Sequence, residues 1–173
     1  MKEKMSNELR QAFTIGRESA VRYHDSKLRL EHVLYGIMTS KNIIHEILKE
    51  RVSDFDLLIK DVENYIKRQS DNDSEVNNES ILKFEVSLQD VLKTCSKSKT
   101  KDEFISAELF FTVSFDMNIA IIKIIKDYGI SKTFIKQKLK QLIFFSFYTL
   151  INFFLFIIPF YPSINFNSTF MVL

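Results

Sequence analysis

The stretch Leu28–Met38, LRLEHVLYGIM, returns in weakened form as Phe104–Ser114, FISAELFFTVS, with Glu31 and Glu108 in register 77 positions apart. The likeness runs on in both directions. Ile44, Ile47 and Leu48 meet Ile121, Ile124 and Ile125 at the same offset, and Leu57, Leu58 and Val62 meet Phe134, Ile135 and Leu139. Upstream, Leu9, Ala12, Phe13 and Gly16 match Leu88, Val91, Leu92 and Cys95 at an offset of 79, so the loop after Cys95 is two residues shorter. A chain that writes one pattern twice folds one unit twice.

The spacing inside each copy is three and four residues, the period of a helix with one buried face. Ser6 is placed to cap the first helix, and Ser53 or Asp54 to cap the fourth. Three Gly and two Pro in 173 residues leave little turn chemistry for a β fold, and Gly129 stands where a helix ends. Between the copies lies SDNDSEVNNES, Ser70–Ser80, whose one apolar residue is Val76; it reads as a linker. The expected fold is therefore all-α: two tandem four-helix repeats, residues 4–69 and 81–141, joined by 70–80. Each copy has only about 65 residues, a size at which burial is marginal. The two are expected to pack as one pseudo-symmetric domain, 4–141, followed by a hydrophobic helix or disordered tail, 142–173.

Tandem repeats with a small apolar first helix and an acid-histidine start to the second resemble the Clp N-terminal domain. That double Clp repeat stands ahead of the ATPase modules in Clp unfoldases. The residues that carry the resemblance are SNELRQAFTIGRESAVRYHDSKLRLEHVLYGIM (Ser6–Met38), IIHEILKERVSDFDLLIKDVENYI (Ile43–Ile66) and their echoes up to Gln141. Glu31-His32-Val33-Leu34 nearly reproduces the family signature, while Glu108-Leu109-Phe110-Phe111 lacks the histidine. The resemblance implies a module that docks protein substrates or adaptor proteins for an unfolding motor, without catalysis and without a cofactor, in the cytoplasm.

It also implies a small pocket per repeat for phosphorylated arginine. In some members the glutamate of the second helix holds the guanidinium, and a threonine at the start of the first helix helps hold the phosphate. Glu31 and Glu108 match the glutamates, and a carboxylate can take a guanidinium fork with two parallel hydrogen bonds. At the threonine position the first repeat has Ser6, which keeps a hydroxyl. The second has Glu85, whose charge would repel a phosphate. The expectation is thus a first pocket built from Ser6 and Glu31, with Glu108 in a weaker second one. A plain alternative stands beside this: an acid in the first turn of a helix is favoured by the helix dipole, by about 0.3–1 kcal/mol. Duplication alone does not separate the two roles.

Other chemistry is missing from the sequence. No G-x-x-x-x-G-K-[ST] occurs, so these residues hold no ATP motor. His45-Glu46 begins a zinc-protease pattern that Lys49 breaks, and no metal site is expected. Asp71, Asp73 and Glu75 lack the glycine and final glutamate of a calcium loop. A net charge of +2 and a basic run without aromatics, KTCSKSKTKDE, argue against nucleic acid. Cys95 is the lone cysteine and falls on an apolar stripe, so it reads as core in a reducing compartment.

From Leu142 to Leu173 there is no charged residue, and nine of the seventeen Phe lie there. Leu142–Tyr161 has the length of a bilayer crossing. The thirteen Leu, Ile and Phe between 142 and 158 would favour insertion by about 4–8 kcal/mol before polar residues are counted. Lys136, Lys138 and Lys140 would keep the repeats on the cytoplasmic side. The rival origin is a frameshift in an AT-rich gene, which yields the same Phe, Ile, Asn and Tyr bias and truncates an unfoldase before its ATPase modules. The alternative reading is accordingly a tail-anchored protein with membrane contact through 142–161, presenting its helical domain to the cytoplasm.

Overall fold

A computed structural model describes residues 4–70, 82–100 and 103–157. The expected linker from residue 71 onward and the tail beyond 157 lie outside these residues. Among the described residues there are eight helices: α1 (Asn7–Arg22), α2 (Leu30–Thr39), α3 (Ile43–Arg51), α4 (Phe55–Arg68), α5 (Val86–Ser98), α6 (Ala107–Ser114), α7 (Ala120–Asp127) and α8 (Lys132–Ile157). Their starts are written in the sequence. Ser6 Oγ accepts from the Leu9 N–H at 3.2 Å, Ser106 Oγ from Leu109 at 3.2 Å and Asp54 Oδ1 from Leu57 at 3.0 Å. Asn42 Oδ1 takes two N–H groups, of Ile44 and His45. Gly129, at φ +77, supplies the left-handed turn after α7.

The two copies differ in how tightly their first two helices approach. A Cβ on Gly36 would lie 2.1 Å from the Ala12 carbonyl oxygen, and one on Gly16 would lie 2.8 Å from the His32 carbonyl oxygen. Both obstacles are backbone, so neither can swing away. The second copy has Val113 and Cys95 at these places, and α1 packs against α2 far more extensively than α5 against α6. Cys95 is fully buried as expected, and burial pushes its thiol up to about 12.

Sequence periodicity did not foretell two short parallel strands, β1 (Lys27–Leu28) and β2 (Lys83–Phe84), paired Lys27 to Lys83 and Leu28 to Phe84. A single bridge joins Met5 to Ile105 in the same sense. The offsets of 79 and 77 carry Met5 onto Phe84 and Leu28 onto Ile105, so each pairing is the image of the other. The hydrogen bonds repeat this: Ser6 N–H donates to the Ile105 carbonyl at 3.0 Å, and Glu85 N–H to the Leu28 carbonyl at 3.0 Å. The segment ahead of the first helix of each copy thus pairs with the segment ahead of the second helix of the other copy. Phe13 of α1 seals the junction, its ring 5.8 Å from Phe84 and 5.9 Å from Phe110.

Further contacts cross between the copies. Tyr128 after α7 donates its hydroxyl to Asp61 Oδ2 of α4 at 2.6 Å, and the Arg51 guanidinium of α3 lies 5.2 Å from the Phe134 ring centre of α8. The core runs through both copies, with Leu9, Leu34, Ile47, Leu58, Phe110, Phe111, Ile121 and Ile135 out of solvent. Residues 1–136 form one compact unit and 137–173 a second, the division falling within α8. In the second unit Leu142, Ile143, Phe144, Phe145, Phe147, Tyr148, Leu150, Ile151 and Phe153 are all exposed. Among the described residues no helix is long and apolar enough to cross a membrane. The far end of the expected span, 158–161, lies outside them.

The helix contact gives a first prediction. Gly36→Ala should destabilise the fold by about 3 kcal/mol, since backbone meets the new methyl. Gly129→Ala, whose Cβ would meet only the Arg51 side chain at an ordinary 3.8 Å but at φ +77, should lose only about 1–2 kcal/mol. Urea unfolding of both variants decides it. A loss in Gly36→Ala no larger than in Gly129→Ala would remove the close approach from this account.

Candidate functional site

The register of α1 on α2 bears directly on the expected pocket. Gly16 faces the His32 carbonyl and Gly36 faces Ala12, so the helices run antiparallel. Ser6 lies ten residues before Gly16, and Glu31 sits beside His32. At 1.5 Å per residue that separates Ser6 from Glu31 by about 15 Å along the helix. The structure does not bring Ser6 and Glu31 together. The reason is geometric: a repeat whose first two helices are antiparallel carries their N-termini to opposite ends.

The strand exchange instead brings each N-terminus to its counterpart in the other copy. Ser6 bonds through its N–H to Ile105, one residue before the Ser106 cap of α6 and three before Glu108. Two serine-capped N-termini, of α1 and α6, are thereby tied together. Each Oγ accepts a helix N–H, and the Ser6 hydroxyl also meets the Glu8 carboxylate, which backbone hydrogen bonding and this hydroxyl hold below its ordinary range. Converging N-terminal dipoles favour an anion, and the half-buried Glu108 carboxylate in the first turn of α6 favours a cation beside it. The combination suits a group that carries both charges.

At the other exchange, Glu85 bonds through its N–H to Leu28, three residues before Glu31. Glu85 occupies the cap position of α5 but makes no cap bond; its Oε2 accepts from the Ser87 hydroxyl at 2.6 Å. Glu31 is buried, and its Oε2 has no hydrogen-bond partner. Leaving a buried acceptor unpaired costs about 1–3 kcal/mol, more when it is charged. The Tyr65 phenol of α4 stands within electrostatic reach of both acids. Its pKa is raised by burial first, then by Glu31, with Arg29 opposing and Glu85 adding to the rise.

Behind Glu31 lies a buried polar network. Asp25 Oδ2 accepts from Arg29 Nη2 at 2.8 Å and is 2.9 Å from His32 Nε2. His32 Nδ1 accepts the Arg29 N–H at 3.1 Å. An Nδ1 that accepts must lack a proton, so Nε2 carries it and donates to Asp25. His32 thus caps α2 in place of a serine and is fully buried. Ser106 holds the position of Arg29 in the second copy and caps α6 directly, which is why Leu109 can replace the histidine there.

Residues 4–128 match the family described as Clp repeat (R) N-terminal domain. The chain belongs to this family. Its fold is that of a non-catalytic module found at the N-terminus of Clp-family unfoldases. Two solved structures share the fold. One comes from work on a malarial protein secretion system, at 16% identity, TM-score 0.68, covering 80% of this chain and 93% of that one. The other is the Hsp104 N-terminal domain from Candida albicans, at 17% identity, TM-score 0.63, covering 78% and 88%. No curated protein matches the chain.

In this Clp domain, Asp25, Arg29, Tyr65 and Ser106 join the candidate residues without having been singled out from sequence. Asp25 and Arg29 did carry a signal, an acid and a base four apart ahead of a histidine. Tyr65 carried none, because only the packing of α4 brings it to Glu31. Among the described residues no cluster of His, Cys, Asp and Glu could hold a metal ion. The network predicts that His32→Leu, which copies the second repeat, leaves both Asp25 and the Arg29 N–H short of a partner. Each orphaned group should cost about 1–3 kcal/mol, lowering the urea midpoint clearly. A neutral His32→Leu would mean that α2 does not depend on this cap.

Proposed function

We propose that the chain docks protein substrates or adaptors for a Clp-type unfoldase, and that its phosphoarginine site is formed by Ser6 and Glu108 across the two repeats. The observation that carries this reading is the Ser6–Ile105 hydrogen bond. That bond ties Ser6 to the residue ahead of the Ser106 cap, three before Glu108, and so supports a meeting of two helix N-termini with a carboxylate; the Ser6 hydroxyl is shared there with Glu8 of its own first turn. A phosphorylated guanidinium needs both halves: donors for the phosphate and a carboxylate for the remaining N–H groups. Glu31, at the other exchange, has an acid beside it where a phosphate would need a donor. The reading requires no bond to be made or broken, only recognition.

Calorimetric titration of the full chain with a short peptide bearing one phosphoarginine tests it. Glu108→Gln should weaken binding by about tenfold or more, the effect of a lost charge-assisted hydrogen bond. Ser6→Ala should weaken it less, and Glu31→Gln should leave it unchanged. Failure of the phosphorylated peptide to bind, or binding indifferent to Glu108→Gln, would sink this assignment.

A further inference from the structure

The unit beyond residue 136 carries a surface that ligand docking at the helix N-termini leaves unused. From 142 to 153, nine large apolar residues of α8 are between 43% and 76% exposed. With about 150–250 Å² on each aromatic side chain, these residues present on the order of 1,000 Å² of apolar surface. A monomer's largest apolar patch reaches about 300–600 Å². A stable interface takes about 800 Å² from each partner. α8 therefore has enough for one side of an interface and too much to stand alone in water.

The order of its residues selects the partner. Ile143, Phe147 and Leu150 are four and three apart, and the sequence continues the same steps to Phe154 and Ile157. That is the apolar seam of two heptads. Phe144, Ile151 and Phe153 flank it. The more polar Tyr148, Thr149 and Asn152 fall on the far side, with Leu142 and Phe145. The Thr149 hydroxyl donates to the Phe145 carbonyl at 3.1 Å and is satisfied within the helix. A lipid surface fits this pattern less well. A helix lying on a bilayer keeps a charged face in water, and positions 142–157 hold no charge. Among the described residues no helix is long and apolar enough to cross one.

We propose that α8 pairs with α8 of a second copy of this chain, antiparallel, along the seam of Ile143, Phe147 and Leu150. A twofold pair needs a surface that is complementary to itself. The seam reads nearly alike in both directions about Leu150, with an isoleucine seven residues before it and another seven after. Charge sets the direction. Lys136, Lys138 and Lys140 stand together just ahead of the charge-free stretch. A parallel pair would crowd the lysines of both copies, whereas an antiparallel pair keeps them apart by the length of the seam. The pairing is independent of ligand recognition by residues 4–128 and joins two docking domains in one particle.

Sedimentation equilibrium of the full chain in detergent-free buffer tests it. The expected mass is twice the 20.4 kDa of one chain. Phe147→Glu and Leu150→Glu should each raise the dimer dissociation constant by about hundredfold or more, since each puts a charge into the seam from both copies. Phe145→Glu, two positions after Ile143 and so on the far side of the helix, should leave the dimer intact. Circular dichroism checks that all three variants keep their helices. Orientation is read by copper–phenanthroline cross-linking, in which the buried Cys95 thiol, pushed up to about 12, does not compete. Leu150→Cys, at the centre of the seam, should yield a disulfide-linked pair and Ile143→Cys should not. A monomer, larger aggregates, a dimer that survives both seam variants, one lost in Phe145→Glu, or cross-linking of Ile143→Cys overturns the proposal. So does a monomer that floats with vesicles containing phosphatidylserine, because lipid then covers α8.

Discussion

The exchange of short extended segments between the two repeats is the constraint on which the rest of the molecule depends. Each segment is only a few residues long, and a pair that short has little stability of its own. It persists because both ends are anchored: each segment runs straight into a helix whose apolar face is buried in the shared core. Phe13, against Phe84 and Phe110, closes the space between the two exchanges. Remove the pairing and four helix N-termini lose their fixed positions at once. Those N-termini carry Ser6, Glu31, Glu85 and Glu108.

Two inequalities make the repeats chemically distinct on one backbone plan. The first lies in the helix contact, where Gly16 and Gly36 let α1 and α2 touch backbone to backbone while Cys95 and Val113 keep α5 and α6 apart. The second lies at the N-termini. α1 and α6 are capped by serine hydroxyls, whereas α2 is capped by a buried histidine and α5 begins at an acid with no cap bond. Duplication supplied equivalent places, and side-chain replacement has given them different caps and different charge. Symmetry in the fold therefore does not carry over into symmetry of side-chain chemistry.

Much of the fold was legible in the chain. The three-four spacing, the caps at Ser6 and Asp54 and the repeat offset are local or periodic features, and they appear in the structure where the sequence puts them. The strand exchange was not legible, because two-residue strands have no period to detect and their partners lie more than 50 residues away. That single gap is why the relative placement of Ser6 and Glu31 was not legible. Ser6 and Glu31 belong to one repeat in sequence, and only the antiparallel register of α1 on α2 shows that they stand at opposite ends. Glu31 and Glu108 were visible as acids in a first turn. Their different surroundings, Tyr65 and Glu85 for one and two serine caps for the other, come from long-range packing.

The central claim is that each candidate site is assembled across the repeats. Nuclear Overhauser contacts between backbone protons of the isotope-labelled chain test it most directly. The account predicts contacts between Met5 and Ile105 and between Leu28 and Phe84, with slow exchange of the Ser6, Glu85 and Ile105 amides. Contacts between Met5 and Leu28, and between Phe84 and Ile105, would place each pairing within its own repeat and contradict it.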